Sequence, residues 1–242
     1  MLAMPDSDFP AERLPRDFDS WWNLPAQWIE EPNVRRAGWS GMATRRIGGT
    51  LYFIKKQSDH CYRSLAHPFG RPTTEREYAN ICRLTALGIR VPEPVFHASR
   101  KMPDGFLGLL VTRELAGFKA LDDLGALPPA AKLKLAAAVG HAAGSMHRAK
   151  LQHSCFYGKH VMARWPEPGI APGDIDPSYA TMPEVAFIDL EKLRRPPLPW
   201  RAAAHDLSQL RRHQHLWNAD EWAQLLAAHR AALHGQAGIL RG

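Results

Sequence analysis

Between Val34 and Gln57 polar and apolar positions run in two stretches joined by Gly48-Gly49, the second being Leu51-Tyr52-Phe53-Ile54 ahead of Lys55 and Lys56. Two short runs with a glycine pair between them predict a β-hairpin. The spacing then changes to a helical period. Pro72 precedes Thr73 and Thr74, Ile81 and Leu84 share a face, and Gly88 and Pro92 stop the pattern, so a helix is predicted with Thr74 and Glu77 at capping-box spacing. Val91–Phe96 and Gly108–Thr112 read as two further strands. Past Leu115 the chain turns rich in Ala and Leu: Pro128-Pro129 opens a helix to about His147, Val185–Ile188 is a buried strand, and Trp200–Leu233 is helical with Asn218 and Glu221 capping its last segment. The Pro- and Gly-rich stretch 164–183 predicts a loop.

These elements make an α+β chain in three parts. Residues 1–33, with Trp21, Trp22 and Trp28, predict an irregular arm that packs aromatics onto a domain it does not nucleate; 34–115 holds the antiparallel sheet and one helix; 116–242 is mainly helical. With 242 residues, 45% of them hydrophobic, the chain can bury a core without disulfides. Cys61, Cys82 and Cys155 are odd in number and far apart, which speaks against a disulfide framework or zinc site and for a reducing, cytoplasmic setting. The opening Met1–Arg16, broken by Pro5, Pro10 and Pro15, has no apolar core for a signal peptide, and no run approaches a membrane span. A net charge of +7 predicts anionic company such as a nucleotide, a phosphorylated glycan or an acidic lipid surface. Lys and Arg are scattered without a nucleic-acid motif, so nucleic acid is not expected. His-Glu-x-x-His and Gly-x-Ser-x-Gly patterns are absent, which excludes the common zinc and serine hydrolases.

Several residues could carry chemistry. Lys55 ends an apolar strand and is either a cation for phosphate oxygens or a lysine snorkelling from a strand end; Lys56 takes the opposite face. Glu77 is either the third member of the capping box or a buried carboxylate needing a cation. It lies within about 40° of Ile81 and Leu84 on the helical wheel, which favours pairing with Lys55. His153-Ser154-Cys155-Phe156-Tyr157-Gly158-Lys159-His160 has the length of the kinase catalytic loop His-Arg-Asp-Leu-x-x-x-Asn. In that register His153 takes the first position, His160 the metal-binding Asn and Cys155 the base, although loop histidines around a buried cysteine would look the same. Asp189 ends the Val185–Ile188 strand, where alternation puts it on the face of Val185, Phe187 and Glu191. It is either a ligand for magnesium or the start of an Asx turn. Gly38-Trp39-Ser40-Gly41 reads as a turn one strand before Lys55, where backbone N–H groups could approach a triphosphate.

The order of these features resembles the lipopolysaccharide core kinase family, the Kdo/heptose kinases of the WaaP type, and most of all their InaA branch. The stretches that carry the resemblance are Leu51–Gln57, Thr74–Tyr78, Gly88–Pro92, Leu110–Leu115, the His153 loop and Phe187–Lys192. The resemblance implies a two-lobed protein-kinase-like fold using ATP and Mg2+ to phosphorylate a sugar hydroxyl of the lipopolysaccharide core or a related anionic glycan. Peripheral contact with the inner membrane through the basic surface would accompany that role. On this reading Gly38, Ser40 and Gly41 cover the nucleotide, Lys55 holds its α and β phosphates and Glu77 orients Lys55. Glu114 and Leu115 flank adenine, Asp189 and His160 hold the metal, and His153, Cys155, Lys159 and His160 form the catalytic-type loop. The heptose kinases carry His-x-Asp where this chain has His153-Ser154-Cys155. The departure implies weak or redirected transfer, with a nucleotide-binding or regulatory module as the alternative. Phosphoryl transfer rests mainly on positioning and charge neutralisation, so much of the machinery does not need a strong base.

Overall fold

A computed structural model describes residues 13–35, 38–64, 67–103, 105–165 and 181–235, with only the backbone at Arg35 and Ser64. Most of the predicted 164–183 loop therefore lies outside the described residues. Contacts divide the chain into two units, Met1–Tyr78 with Glu93–Glu114 and Ala79–Pro92 with Leu115–Gly242.

The first unit is built on a five-stranded antiparallel sheet, order β1-β2-β3-β7-β6, from β1 (Gln27–Arg35), β2 (Gly38–Ile47), β3 (Thr50–Ser58), β6 (Pro94–Met102) and β7 (Gly105–Arg113). The Gly48-Gly49 hairpin forms as predicted. Both glycines have positive φ, 55° and 80°, the conformation that matches a two-residue turn to the strand twist. A small ribbon of β4 (Cys61–Ser64) and β5 (His67–Pro72) leads into the helix α2 (Thr73–Ala86).

The expected irregular arm is corrected here. Asp17 caps a short helix, α1 (Phe18–Trp22), by accepting the Ser20 N–H at 2.9 Å, and β1 is an edge strand of the main sheet. Pro32 sits in β1 because an edge strand can lose a donor, and the register shifts between Trp28 and Asn33 absorb it. Trp21 is fully buried among Tyr52, Ile54, Leu109 and Val111, so the arm supplies part of the core instead of merely covering it. Arg100, stacked on Phe18, clamps α1 through a two-pronged pair with Asp19 at 2.7 and 2.8 Å. The alternation signal failed at β1 because its bulges break the period of two.

In the second unit α3 (Pro129–Arg148) packs along α5 (Ala219–Leu233), with α4 (Arg201–His213) beside them. Gly140 and Gly144 make the α3–α5 approach possible. A Cβ at Gly140 would lie 2.2 Å from the Leu225 carbonyl oxygen, and one at Gly144 2.5 Å from that of His229. Asn218 and Glu221 form the predicted capping box at the start of α5, at 3.0 and 2.8 Å. A three-stranded sheet, order β10-β9-β8, joins β8 (Lys119–Ala120), β9 (Val161–Arg164) and β10 (Glu184–Phe187). Strand β10 is antiparallel to β9, so the chain comes straight off the catalytic-type loop into the strand beside the one that leads to Asp189. Among the described residues no helix is long and apolar enough to cross a membrane.

Candidate active site

In the first unit Lys55 lies in β3, paired with Met42 of β2 and Leu110 of β7, and its Nζ donates to Glu77 Oε2 at 2.7 Å. The two side chains are 12% and 11% exposed, so each charge needs the other to offset its desolvation. The choice between pair and cap is thereby decided for the pair, and the Thr74 capping reading is corrected. Helix α2 begins at Thr73, and the Thr74 N–H is taken by Gln57 Oε1 at 3.1 Å while Gln57 Nε2 donates to Thr73 Oγ1 at 2.8 Å. Lys56, on the other face, donates to the Trp22 carbonyl at 2.6 Å and lies 5.8 Å from the Trp28 ring centre. Burial pulls its pKa down.

The Gly38–Gly41 turn is also corrected. Gly38, Ser40 and Gly41 are strand residues of β2, with Ser40 opposite Asn33 and Gln57 and Gly41 opposite Lys56. Their small size serves packing. A Cβ at Gly38 would meet the Asp59 carbonyl at 2.4 Å and one at Gly41 the Trp28 ring at 2.7 Å, while Ser40 Oγ accepts from Gln57 at 3.1 Å. Glu114 follows β7, its N–H bonded to the Leu51 carbonyl at 3.0 Å, and Leu115 begins the second unit.

In the second unit the structure brings His153, Cys155, His160 and Asp189 together. His153 is fully buried and its Nε2–H donates to the Ile188 carbonyl at 3.0 Å. Burial holds its pKa down. His153 thus holds the strand end before Asp189 in place. Asp189 itself has left the strand: its backbone is left-handed (φ 56°, ψ 59°), which overturns the face assigned by alternation, and its carboxylate is 42% exposed. The His160 Nδ1–H donates to the Cys155 carbonyl at 2.8 Å, leaving Nε2 facing Asp189 Oδ2 at 3.5 Å. Cys155 is buried, and burial pushes its thiol up against the pull of the neighbouring Lys192 ammonium. A protonated thiol cannot act as a general base. Lys159 is exposed at the loop surface.

Residues not singled out from the sequence hold this loop. Asp206 of α4, fully buried, accepts the backbone N–H groups of His153 at 2.7 Å and Ser154 at 3.1 Å. Ser154 has φ 71°, a conformation these bonds over-determine. Gln209, one turn on, accepts from the Phe156 N–H at 2.9 Å and donates to the Ser154 carbonyl at 3.2 Å. Behind Asp206, His147 Nε2 lies at 3.2 Å, and His147 Nδ1 meets His229 Nε2 at 2.8 Å. A carboxylate only accepts, so with both rings neutral His147 donates through Nε2 and accepts the His229 Nε2–H on Nδ1. Burial would raise the Asp206 pKa, but the bonds from His147, His205 and the His153 N–H hold it below the ordinary value. Asn80 of α2 donates to the carbonyls of Leu190 and Leu193, each at 2.8 Å, fixing the turn after Asp189. The wheel argument that found Glu77 applies equally to Asp206, which shares the buried face of α4 with Ala202, Gln209 and Leu210.

Asp189 and His160 are the loop residues that could hold a metal ion. Mg2+ takes oxygen ligands, keeps several waters and typically uses one or two protein carboxylates plus phosphates. Among the described residues no cluster of three or more metal-binding side chains occurs, so Asp189 would be the single carboxylate with His160 at its side.

An antiparallel sheet bearing a lysine–glutamate pair with α2, followed by a helical unit whose loop and αL aspartate are held by buried polar anchors, defines a protein-kinase-like fold. The family model described as lipopolysaccharide kinase (Kdo/WaaP) family matches residues 19–229, and the chain belongs to that family. It is similar to Protein InaA of Escherichia coli (strain K12), with 32% identity over 217 residues, covering 87% of this chain and 94% of InaA. Among solved structures it is similar to WaaP in complex with acyl carrier protein, with a TM-score of 0.63 and 22% identity over 92% of this chain and 87% of that one.

Proposed function

We propose that the protein is an ATP-dependent phosphotransferase that moves the γ-phosphate to a sugar hydroxyl of the lipopolysaccharide core or a related envelope glycolipid. The observation that carries this reading is the buried Lys55–Glu77 pair at 2.7 Å, an ammonium oriented by a carboxylate on the following helix. In this role Lys55 holds the α and β phosphates, and Glu114 and Leu115 flank the adenine. Gly38, Ser40 and Gly41 take part through the β2 backbone, not as a mobile turn. Asp189 and His160 would hold Mg2+, which when bound supplies charge neutralisation at the phosphates. Asp206 and Gln209 keep the 153–160 loop in place, and Lys159 and Lys192 offer cations for the transferred phosphate or the anionic acceptor.

The acceptor hydroxyl finds no strong base in Cys155. Transfer then depends on position and electrostatics, which suits a loose phosphoryl transition state and a slow enzyme. The buried, protonated Cys155 thiol favours one second reading, a module that binds nucleotide without transferring phosphate. Labelled ATP incubated with purified inner-core glycan separates the two. Transfer by the wild type that is lost in Asp189→Ala supports the kinase. Magnesium-dependent ATP binding without transfer selects the module, and neither binding nor transfer removes both.

A further inference from the structure

The stretch following the Asp189 turn displays an unusual surface. Arg194, Arg195 and Arg201 are all exposed, and Lys192, also exposed, is drawn toward the Cys155 thiol. Between them Leu198 is 38% and Trp200 73% exposed. Large apolar side chains left in water beside a set of cations are the composition of a membrane-interface anchor: indole rings favour the headgroup level, and basic residues favour anionic lipid.

The backbone beneath is fixed. Leu193 is 1% exposed, and Arg194 exchanges backbone hydrogen bonds with Gln152 at 2.8 and 3.0 Å. Pro196 is buried, and the N–H groups of Arg201 and Ala202 close onto the Leu198 and Pro199 carbonyls at 2.9 and 3.1 Å to start α4. Pro196, Pro197 and Pro199 restrict the remaining torsions, so little ordering entropy is lost when the display meets a surface. The loop is held out by construction.

We propose that Arg194–Arg201 docks the protein on an anionic lipid bilayer, with Trp200 and Leu198 entering the headgroup region and the three arginines meeting lipid phosphates. Arg194 is paired with Gln152, the residue before His153, so a bilayer bound here lies beside the catalytic-type loop, where a lipid-borne acceptor would arrive. Docking does not require phosphoryl transfer. The two readings fail separately.

The test is sedimentation of the full chain with phosphatidylcholine vesicles, with and without phosphatidylglycerol. The wild type is expected to bind the anionic vesicles, to leave the neutral ones and to release at high salt. Each basic residue is worth about fivefold in partitioning, so Arg194→Ser with Arg195→Ser weakens binding about twenty-fivefold. Trp200→Ser weakens it roughly tenfold or more. All these positions are exposed, and unchanged thermal melting verifies the fold of each variant. Lys101→Ser with Lys119→Ser, a charge-matched change on other exposed strands, is expected to cost far less. Equal binding to both vesicle types, wild-type binding by the Arg or Trp variants, or an equal loss in the Lys101/Lys119 control would overturn the proposal.

Discussion

His160 donates from Nδ1 to the Cys155 carbonyl at 2.8 Å, and this bond turns its Nε2 toward Asp189 Oδ2 at 3.5 Å. A ring nitrogen facing a carboxylate at that separation suits a shared proton or a cation between them. Asp189 accepts a left-handed backbone to reach this position, a conformation that costs a non-glycine residue roughly 1 kcal/mol.

Replacing Asp189 by Ala should remove magnesium-dependent ATP binding in a calorimetric titration, while His160→Asn, which keeps a neutral oxygen ligand, should retain most of it. Equal loss in both would assign His160 a structural role only. Lys55→Met should weaken the same titration and lower transfer by about a hundredfold, the scale of removing one charge-stabilising donor.

Cys155 offers a test by gain. Because its thiol is protonated at neutral pH, Cys155→Ser should leave phosphate transfer within about twofold. Cys155→Asp, with Lys192 beside it, should raise transfer by up to about a hundredfold if a missing base limits the rate. A sharp loss in Cys155→Ser would instead show that the sulfur participates.

Asp206 should be worth more to stability than its surroundings suggest. Its removal leaves two buried backbone donors and His147 without an acceptor, so Asp206→Ala should cost about 3 kcal/mol or more in urea unfolding. Trp21→Ala tests the N-terminal segment in the same way. A cavity that size in the first unit's core should cost about 3–5 kcal/mol, where an arm that only covers the sheet would lose far less.

The His147–His229 pair predicts a pH dependence of stability. His229 is 4% exposed, and burial, with the charges of His147 and Arg230, pushes its pKa down from 6.5 to about 4. Between those values the unfolded chain binds a proton that the folded ring refuses. The contribution is therefore whole above about pH 6.5 and is lost as pH falls toward 4, by up to about 1.4 kcal/mol per pH unit. His229→Gln keeps a donor for His147 Nδ1 without the titration. Its urea stability should fall less steeply than the wild type's between about pH 6.5 and 5.

Amide placement shows how far a one-dimensional pattern reaches. The Gly48-Gly49 hairpin, helix α3 opening at Pro129 and the Asn218/Glu221 cap were legible because each depends on neighbours within a few residues. Glu77 was legible as a pair partner because a carboxylate on the apolar stripe of a helix must find a cation. Strand β1 was not, since bulges erase alternation and an edge strand is recognised only by the partner it pairs with. Likewise Gly38 and Gly41 looked like a turn, but it is Asp59 and Trp28, distant in sequence, that require their missing side chains.

The amino-acid order by itself determined the local elements, among them the Gly48-Gly49 hairpin, α3 and the Asn218/Glu221 cap, and the need of Glu77 for a cation. It did so because helices, hairpins and caps are local, and because charge on an apolar face demands a partner. Only the tertiary structure decided between pair and cap for Glu77, and joined His160 with Asp189 and Asp206 with the N–H groups of His153 and Ser154. Those choices join residues up to 53 positions apart. They follow from packing, which no local pattern records.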